Sequence, residues 1–187
     1  MKDSEVFIFH GTGGYPGENW FPWMKDQLEQ KGYKVFVPQF PTPEGQSLEA
    51  WLNVLGSQID DIGQDTILIG HSLGGLFTLR LLERLETPVK ATFLIGTPIG
   101  VEPIKNMEND RKFSGNFDFD WDKIKNNAGH VTIFHSDNDP YVDLGNGKQL
   151  AEHLGVSLTF VPNAGHFNAS AGYTHFEKLL KEVTEVA

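Results

Sequence analysis

The chain has 187 residues, a net charge of −10 at pH 7 and an isoelectric point near 5.0. This length suits one domain with a sizeable core, and 39% hydrophobic and 12% aromatic residues predict a folded globular protein. The acidic charge argues against nucleic acid and anionic membrane surfaces as partners, because both are bound through lysine and arginine. The sequence has no cysteine, which excludes disulfides, thiolate nucleophiles and zinc–thiolate sites.

No apolar run is long enough to cross a bilayer. Residues 1–5 lead directly into a predicted strand, without the apolar stretch of a signal peptide. We therefore expect a cytoplasmic protein.

Short apolar runs alternate with helical patterns along the chain. The runs are continuously hydrophobic, which is typical of strands buried on both faces of a parallel sheet. The predicted strands are residues 6–9, 34–38, 66–70, 91–96, 131–135 and 157–161. The alternation predicts a single α/β domain over residues 1–187, with three layers around a doubly wound, mostly parallel six-stranded sheet.

Helices are predicted between most of these strands. Asn19 is expected to cap the first, over residues 20–31, and Ser47 to cap the second, whose apolar positions recur at helical spacing as far as Ile62. The remaining helical patterns cover residues 73–85, residues 147–154 and a final amphipathic stretch that includes Phe176, Leu179, Leu180 and Val183.

Residues 97–127 interrupt the alternation with about thirty residues of weak periodicity. A loop of this length in a compact domain is usually functional or mobile. We therefore consider a poorly ordered surface excursion or a short lid over residues 98–121, and the aromatic residues of this stretch favour the lid.

The motif Gly70-His71-Ser72-Leu73-Gly74 lies between the third predicted strand and the helix after it. G-x-S-x-G in this setting is typical of a nucleophile elbow, which exposes the serine hydroxyl at the carboxyl end of the strand. Glycine suits both ends of the motif, because a side chain there would collide with the neighbouring strand or helix. We predict that Ser72 is a nucleophile, with a helix N-terminus behind it that favours negative charge.

A serine hydroxyl needs an adjacent base near neutral pH, and after a nucleophile elbow the acid and then the histidine follow along the chain. The loop after the fifth strand contains Asp137 and Asp139, and the loop after the sixth contains His166. Both loops lie at the sheet edge where Ser72 is predicted. We predict Asp139 as the acid, because the following proline stiffens its loop, with Asp137 second and Asp143 third. His166 is the predicted base, so activity should fall at acidic pH as it takes up a proton.

The oxyanion hole needs two backbone N–H groups directed at the developing negative charge. One should belong to Leu73, directly after the nucleophile. The other should come from the glycine-rich loop at residues 10–14, with Thr12 preferred over Gly13. His10 is expected to hold this loop in shape.

The same loop does not fit a dinucleotide site, because Pro16 stands where that motif requires glycine. The sequence contains no phosphate-binding loop motif and no H-E-x-x-H zinc motif. We therefore expect no cofactor and no metal.

With these residues placed, the chain resembles an α/β-hydrolase, and in particular the small serine hydrolases of the retinoblastoma-binding protein 9 family and its bacterial relatives. The resemblance covers nearly the whole chain and rests on Asn19-Trp20-Phe21-Pro22-Trp23, Trp51-Leu52, Gly70-His71-Ser72, Phe117-Asp118 to Lys123-Ile124, Asp139-Pro140 and Gly165-His166-Phe167. It implies a compact α/β-hydrolase fold and a triad on Ser72, Asp139 and His166. The retinoblastoma-binding motif L-x-C-x-E cannot occur without cysteine, so that role is not implied.

We therefore expect a serine hydrolase that cleaves a small ester or amide through an acyl-enzyme. Its substrate pocket is predicted to include the aromatic residues Tyr15, Trp20, Trp23, Phe113 and Phe117. Two alternatives are a hydrolase-shaped protein that mainly binds a partner protein, and an acyltransferase. A large exposed apolar patch away from Ser72 would indicate the first, whereas the sequence does not separate acyl transfer from hydrolysis.

Overall fold

The computed structural model describes residues 4–186. Within them, six strands form one sheet: β1 (Glu5–Phe9), β2 (Lys34–Phe36), β3 (Thr66–His71), β4 (Ala91–Ile95), β5 (His130–His135) and β6 (Leu158–Phe160). Their order is β2-β1-β3-β4-β5-β6, and every neighbouring pair is parallel. The predicted six-stranded parallel sheet is confirmed.

Helices cover both faces of this sheet. They are α1 (Phe21–Glu29), α2 (Leu48–Leu55), α3 (Gln58–Asp61), α4 (Leu73–Leu82), α5 (Met107–Ser114), α6 (Trp121–Asn127), α7 (Leu144–Leu154) and α8 (Glu177–Glu185), with a short 3₁₀ turn at Ala169–Ala171. In the part of the chain from residue 4 to residue 186, none of these helices is long and apolar enough to cross a membrane.

Two apolar clusters, one on each side of the sheet, form the core. Val6 and Ile8 of β1 pack toward α1 and α8, whereas Phe7 and Phe9 pack toward α2, α4, α5, α6 and α7. Alternate residues of a strand point to opposite faces, so a strand covered by helices on both sides must be apolar throughout. This arrangement explains the continuous hydrophobic runs.

The order of the strands reverses beside β1. The chain passes from β1 to β2 on one side and then returns to β3 on the other. Open α/β sheets bind ligands outside the carboxyl ends of the strands at such a switch point. The loop at residues 10–14 follows β1 and Ser72 follows β3, so the fold brings both to this place.

Two predicted helix boundaries are wrong. Trp20, not Asn19, caps α1, because the Oδ1 atom of Asn19 accepts a hydrogen bond from the N–H of Ala169 at 2.9 Å. Ser47 caps α2 as predicted, and its Oγ accepts from the N–H of Ala50 at 3.1 Å. However, α2 ends at Leu55, and the rest of the predicted helix is the separate short helix α3.

The segment at residues 97–127 contains two helices, α5 and α6, where the sequence showed only weak periodicity. Its end near α6 is held by Arg80, whose guanidinium donates hydrogen bonds to the backbone carbonyls of Ser114 and Asp118. Its beginning is held by the Asn146 amide, which binds the N–H of Val101 at 3.1 Å and its carbonyl at 2.7 Å. The segment is therefore attached to the body of the protein at both ends.

Candidate active site

Ser72 lies in the sharp turn between β3 and α4, with φ of 56° and ψ of −123°. Residues other than glycine seldom adopt a positive φ, and such strained conformations are concentrated at functional sites. The N–H of Ser72 donates to the carbonyl of Ile95 at 2.8 Å, which continues the pairing of β3 with β4 into the turn. The backbone of Ser72 is therefore held at the carboxyl end of the sheet.

Gly70 and Gly74 allow α4 to pack directly on the sheet. A Cβ atom on Gly70 would lie 2.5 Å from the Cα of Gly75 in α4, and one on Gly74 would overlap the backbone carbonyl of Phe9. Real side chains do not make such contacts, so this turn requires glycine at both positions. The collision predicted for these two positions is found.

His166 and Asp139 form the shortest polar contact near Ser72. The Nδ1 atom of His166 lies 2.6 Å from Oδ2 of Asp139, and the other carboxyl oxygen accepts from the N–H groups of Tyr141 at 2.9 Å and Val142 at 3.1 Å. Because the carboxylate accepts from Nδ1, the proton is on that nitrogen and Nε2 is left as the acceptor. This arrangement suits a base whose orientation is fixed by a buried acid.

The environment of Asp139 keeps its carboxyl ionised. Burial by itself would raise the pKa of Asp139, but the hydrogen bond from His166, the charge of that imidazole when protonated and the two backbone N–H groups outweigh it. The pKa of Asp139 is consequently held below its usual value.

Four hydrogen bonds join the loops after β5 and β6, and we call this set of bonds the loop ladder. They connect the four consecutive residues 136–139 of the first loop to the four consecutive residues 163–166 of the second. Its donor–acceptor pairs are Asn163 N–H to Asp137 Oδ1 (2.8 Å), Ala164 N–H to Ser136 Oγ (2.9 Å), Gly165 N–H to Asn138 Oδ1 (2.7 Å) and His166 Nδ1 to Asp139 Oδ2 (2.6 Å). The two candidate acids thus have different contacts. Asp137 binds a backbone N–H, whereas Asp139 binds the imidazole.

Ser72 and His166 line the same cavity, which has a volume of about 180 Å³. Its lining residues are Gly11, Thr12, Glu18, Asn19, His71, Ser72, Ile104, Asn106, Asp110, Tyr141, Val142, His166 and Asn168. Two carboxyl groups are among them but no lysine or arginine. Across residues 4–186, no group of three or more histidine, aspartate or glutamate side chains is arranged to hold a metal ion.

Thr12 and Leu73, the predicted oxyanion-hole residues, belong to the loop after β1 and to the start of α4. Thr12 lines the cavity, and Leu73 is the first residue of α4, where N–H groups have no partner within the helix. The N–H of Gly13 donates to Oγ1 of Thr42 at 2.8 Å. That donor is therefore already used, and the choice of Thr12 for the oxyanion hole stays a prediction.

His10 holds the loop after β1, as expected. Its Nδ1 donates to the carbonyl of Gly11 at 2.9 Å, and its Nε2 accepts from the N–H of Phe40 at 3.1 Å. Burial lowers the pKa of His10, which keeps the imidazole neutral and leaves Nε2 free to accept. The side chain thereby ties this loop to the segment after β2.

His71 is a site residue that sequence reasoning missed. Its Nε2 donates to the backbone carbonyl of His166 at 2.7 Å. Its burial, and then the charge of His166, lower the pKa of His71 to about 3, so the ring is neutral. The sequence contained one indication of this role: His71 is a polar residue at the end of an otherwise apolar strand, directly before the predicted nucleophile.

None of the five aromatic residues predicted for the substrate pocket lines the cavity. Trp20 is fully buried in the core, and its Nε1 donates to the carbonyl of Phe167 at 3.0 Å. Trp23 packs against His175, and Tyr15 is 53% exposed at the surface. The predicted role in the substrate pocket is therefore corrected for these three residues, because their rings are surrounded by core packing or by solvent and not by the cavity.

Phe113 and Phe117 are also placed elsewhere. Phe113 is buried against Trp51, and Phe117 packs beside Gly100 and Phe119. The segment at residues 98–121 still forms part of the cavity wall, but through residues that are not aromatic: Ile104, Asn106 and Asp110.

Comparison with known proteins agrees with this fold. The family model described as serine hydrolase matches residues 6–185. YdeN of Bacillus subtilis (strain 168) is 29% identical over 170 residues, which cover 91% of this chain and 89% of YdeN. The crystal structure of the B. subtilis ydeN gene product has a TM-score of 0.90 to this chain and covers 98% of both.

A mammalian relative aligns with a similar share of this chain. Serine hydrolase RBBP9 of Rattus norvegicus is 28% identical over 177 residues, or 93% of this chain and 89% of RBBP9. The structure of Est1E from Butyrivibrio proteoclasticus with bound ferulic acid has a TM-score of 0.72 at 17% identity, covering 98% of this chain and 88% of Est1E, and shows the shared fold. The resemblance inferred from the sequence is confirmed. The chain belongs to the serine hydrolase family and is a hydrolase with an α/β-hydrolase fold.

Proposed function

We propose that the protein hydrolyses a small ester or amide, with Ser72 as nucleophile, His166 as base and Asp139 as the acid that orients His166. The observation that carries this proposal is the 2.6 Å contact between His166 Nδ1 and Asp139 Oδ2 at the wall of the cavity that Ser72 also lines. The positive φ of Ser72 supports it, because a strained serine at a strand–helix turn has little structural purpose of its own.

The chemistry proceeds in two steps. In the first, His166 Nε2 takes the proton of Ser72 as its Oγ attacks the substrate carbonyl, and the N–H groups of Thr12 and Leu73 stabilise the oxyanion. His166 then gives this proton to the leaving group as the bond to the carbonyl carbon breaks. In the second step water attacks the acyl-enzyme, with His166 again as base, and releases the acid and free Ser72.

The size of the cavity supports a small substrate. Its volume of about 180 Å³ is below the roughly 300–1,000 Å³ of sites that hold drug-sized ligands. Its walls are mostly polar and are attached to the body of the protein. We therefore propose a short acyl group or a small polar leaving group in place of a long apolar chain.

Covalent labelling tests the nucleophile. A fluorophosphonate probe should add one label to the wild type and to Ser170→Ala, a control at an exposed serine, but none to Ser72→Ala, as measured by intact mass. A panel of 4-nitrophenyl esters of increasing acyl length should then be cleaved best at its short end. A folded wild type that takes no label and cleaves no ester would overturn the proposal.

A further inference from the structure

Asp110 is a buried carboxyl group in the candidate active site that the proposed mechanism does not use. It lies on α5, is 3% exposed and lines the cavity together with Ser72 and His166. Its side chain makes no hydrogen bond or ion pair within residues 4–186, and its carboxyl oxygens stay open to the cavity instead of being fully enclosed by protein. A buried carboxyl group without a partner is unfavourable, so such a group calls for an explanation.

The orientation of α5 directs Asp110 to the cavity. Asn106 and Asp110 are four positions apart, which places them on one side of the helix, and both line the cavity. Glu108 of the same helix faces solvent and pairs with Lys112 at 2.9 Å. The helix therefore keeps one acidic residue in water with a lysine partner and one in the cavity without a partner.

The rest of the cavity offers Asp110 no counter-ion. Glu18 is the second carboxyl group in the lining, and burial raises its pKa despite a backbone hydrogen bond from Tyr15. Lys105 lines a neighbouring cleft, where its Nζ lies 4.7 Å from the centre of the Tyr141 ring. Two carboxyl groups without a cation give the cavity a negative potential when they are ionised.

The ionisation of Asp110 is sensitive to what enters the cavity. Burial raises the pKa of Asp110 to about 7. A positively charged ligand would favour the ionised form and would replace the interactions that the carboxylate loses on leaving water.

We propose that Asp110 binds a positively charged nitrogen of the substrate, so that the enzyme prefers small cationic esters or amides over neutral ones of the same shape. This inference rests on the proposed function, because it concerns the substrate that Ser72 attacks. Glu18 adds to the attraction through its charge. A charge-assisted contact of this kind is expected to favour the cationic substrate by about tenfold to a hundredfold in kcat/KM.

Two matched sets of substrates test the inference. In the first, the benzyl esters of L-alanine, L-lactic acid and propanoic acid differ only in the ammonium, hydroxyl or hydrogen on one carbon of the acyl group. In the second, acetylcholine is compared with 3,3-dimethylbutyl acetate, which places the charge on the leaving group. The ratio of kcat/KM between cationic and neutral members is measured at neutral pH for the wild type, Asp110→Asn and the matched control Glu108→Gln.

The wild type should prefer the cationic member of at least one set by about tenfold or more. Asp110→Asn should bring this ratio close to one, whereas Glu108→Gln should keep it. If Asp110→Asn does not fold, Glu18→Gln should lower the same ratio by a smaller factor.

Equal rates for the cationic and neutral members of both sets, or an unchanged ratio in Asp110→Asn, would overturn the inference. So would a preference confined to the first set in which the hydroxyl ester is hydrolysed as fast as the ammonium ester. In those cases Ser72-dependent hydrolysis of the neutral esters would leave the proposed function standing. If no ester is hydrolysed and the fluorophosphonate does not label Ser72, the proposed function fails and the inference fails with it.

Discussion

The side chain of His71 holds the backbone of His166, through a hydrogen bond of 2.7 Å from Nε2 to the carbonyl oxygen. The residue before the proposed nucleophile thus positions the proposed base. The His166 ring also has its centre 4.8 Å from that of His71 and 4.9 Å from that of Tyr141. With Asp139 at Nδ1, contacts from three side chains restrict the imidazole of His166.

Replacing His71 should weaken both the fold and catalysis. His71→Leu leaves the buried carbonyl of His166 without a donor, which should lower the free energy of unfolding by about 1–3 kcal/mol. The resulting displacement of His166 should lower kcat by about tenfold to a hundredfold. His71→Gln keeps a donor near the position of Nε2 and should restore part of both quantities. Urea unfolding and steady-state kinetics measure them, with exposed His175→Ala as control; unchanged kcat in His71→Leu would show that the contact has no catalytic consequence.

Two isosteric substitutions separate the candidate acids. Asp139→Asn places an amide against Nδ1 of His166 and disfavours the required tautomer, so kcat should fall by about 10³–10⁴. Asp137→Asn keeps an oxygen that accepts from the N–H of Asn163, and its kcat should stay within about threefold of the wild type. The reverse ranking in steady-state assays would assign the acid to Asp137.

Asp110→Asn should stabilise the protein at neutral and higher pH. The pKa of Asp110 is about 7 in the folded protein against a usual value of 3.8, so between these values the folded state holds more protons than the unfolded state. The free energy of unfolding therefore decreases as pH rises through this window, and removing the carboxyl group removes the decrease. We expect a gain of about 4 kcal/mol at pH 8 that disappears below about pH 4. Urea unfolding across this range measures it, and Glu108→Gln should show no such gain.

His71 should make stability depend on pH in the opposite direction. Its pKa is about 3 in the folded protein against a usual value of 6.5, so the unfolded state binds the extra proton between these values. The free energy of unfolding therefore falls as pH decreases below about 6.5. Between pH 7 and pH 5, the free energy of unfolding should fall by about 1–2 kcal/mol less in His71→Gln than in the wild type, as measured by urea unfolding. Parallel curves for the two proteins would contradict a neutral, buried His71, and the exposed His175→Gln is the matched control.

The sheet and the loops that carry the candidate triad could be predicted from the sequence. Burial on both faces leaves a local signal, a continuous apolar run such as Ile67–Ile69 in β3, and parallel strands place the loops after β3, β5 and β6 at one edge. The assignment of roles to Ser72, Asp139 and His166 stays a prediction, now supported by the contacts of Asp139 and the conformation of Ser72.

The predictions that failed depended on contacts between distant parts of the chain. Asn19 looks like a helix cap locally, but its side chain binds the N–H of Ala169, 150 positions away. The aromatic residues could equally belong to a pocket or to the core, and only the packing of Trp20 and Phe113 shows that they belong to the core. Helix α5 has few apolar residues, so its periodicity was too weak to indicate that Asp110 would face the cavity.

The loop ladder holds the proposed acid against the proposed base, whereas other residues, at positions 98–121, form the cavity wall that would determine substrate preference. Its four bonds match consecutive residues of two loops one to one, so an insertion or deletion in either loop would move the proposed acid away from the proposed base. The wall formed by residues 98–121 has no hydrogen bond to Asp139 or His166, and its residues 103–105 pair with residues 141–143 in the loop after β5. Substitutions at wall positions outside this pairing, such as Asn106 and Asp110, can alter what the cavity accepts while the distance from Asp139 to His166 stays the same. Evolution and engineering of this scaffold should therefore vary the wall far more freely than the two loops.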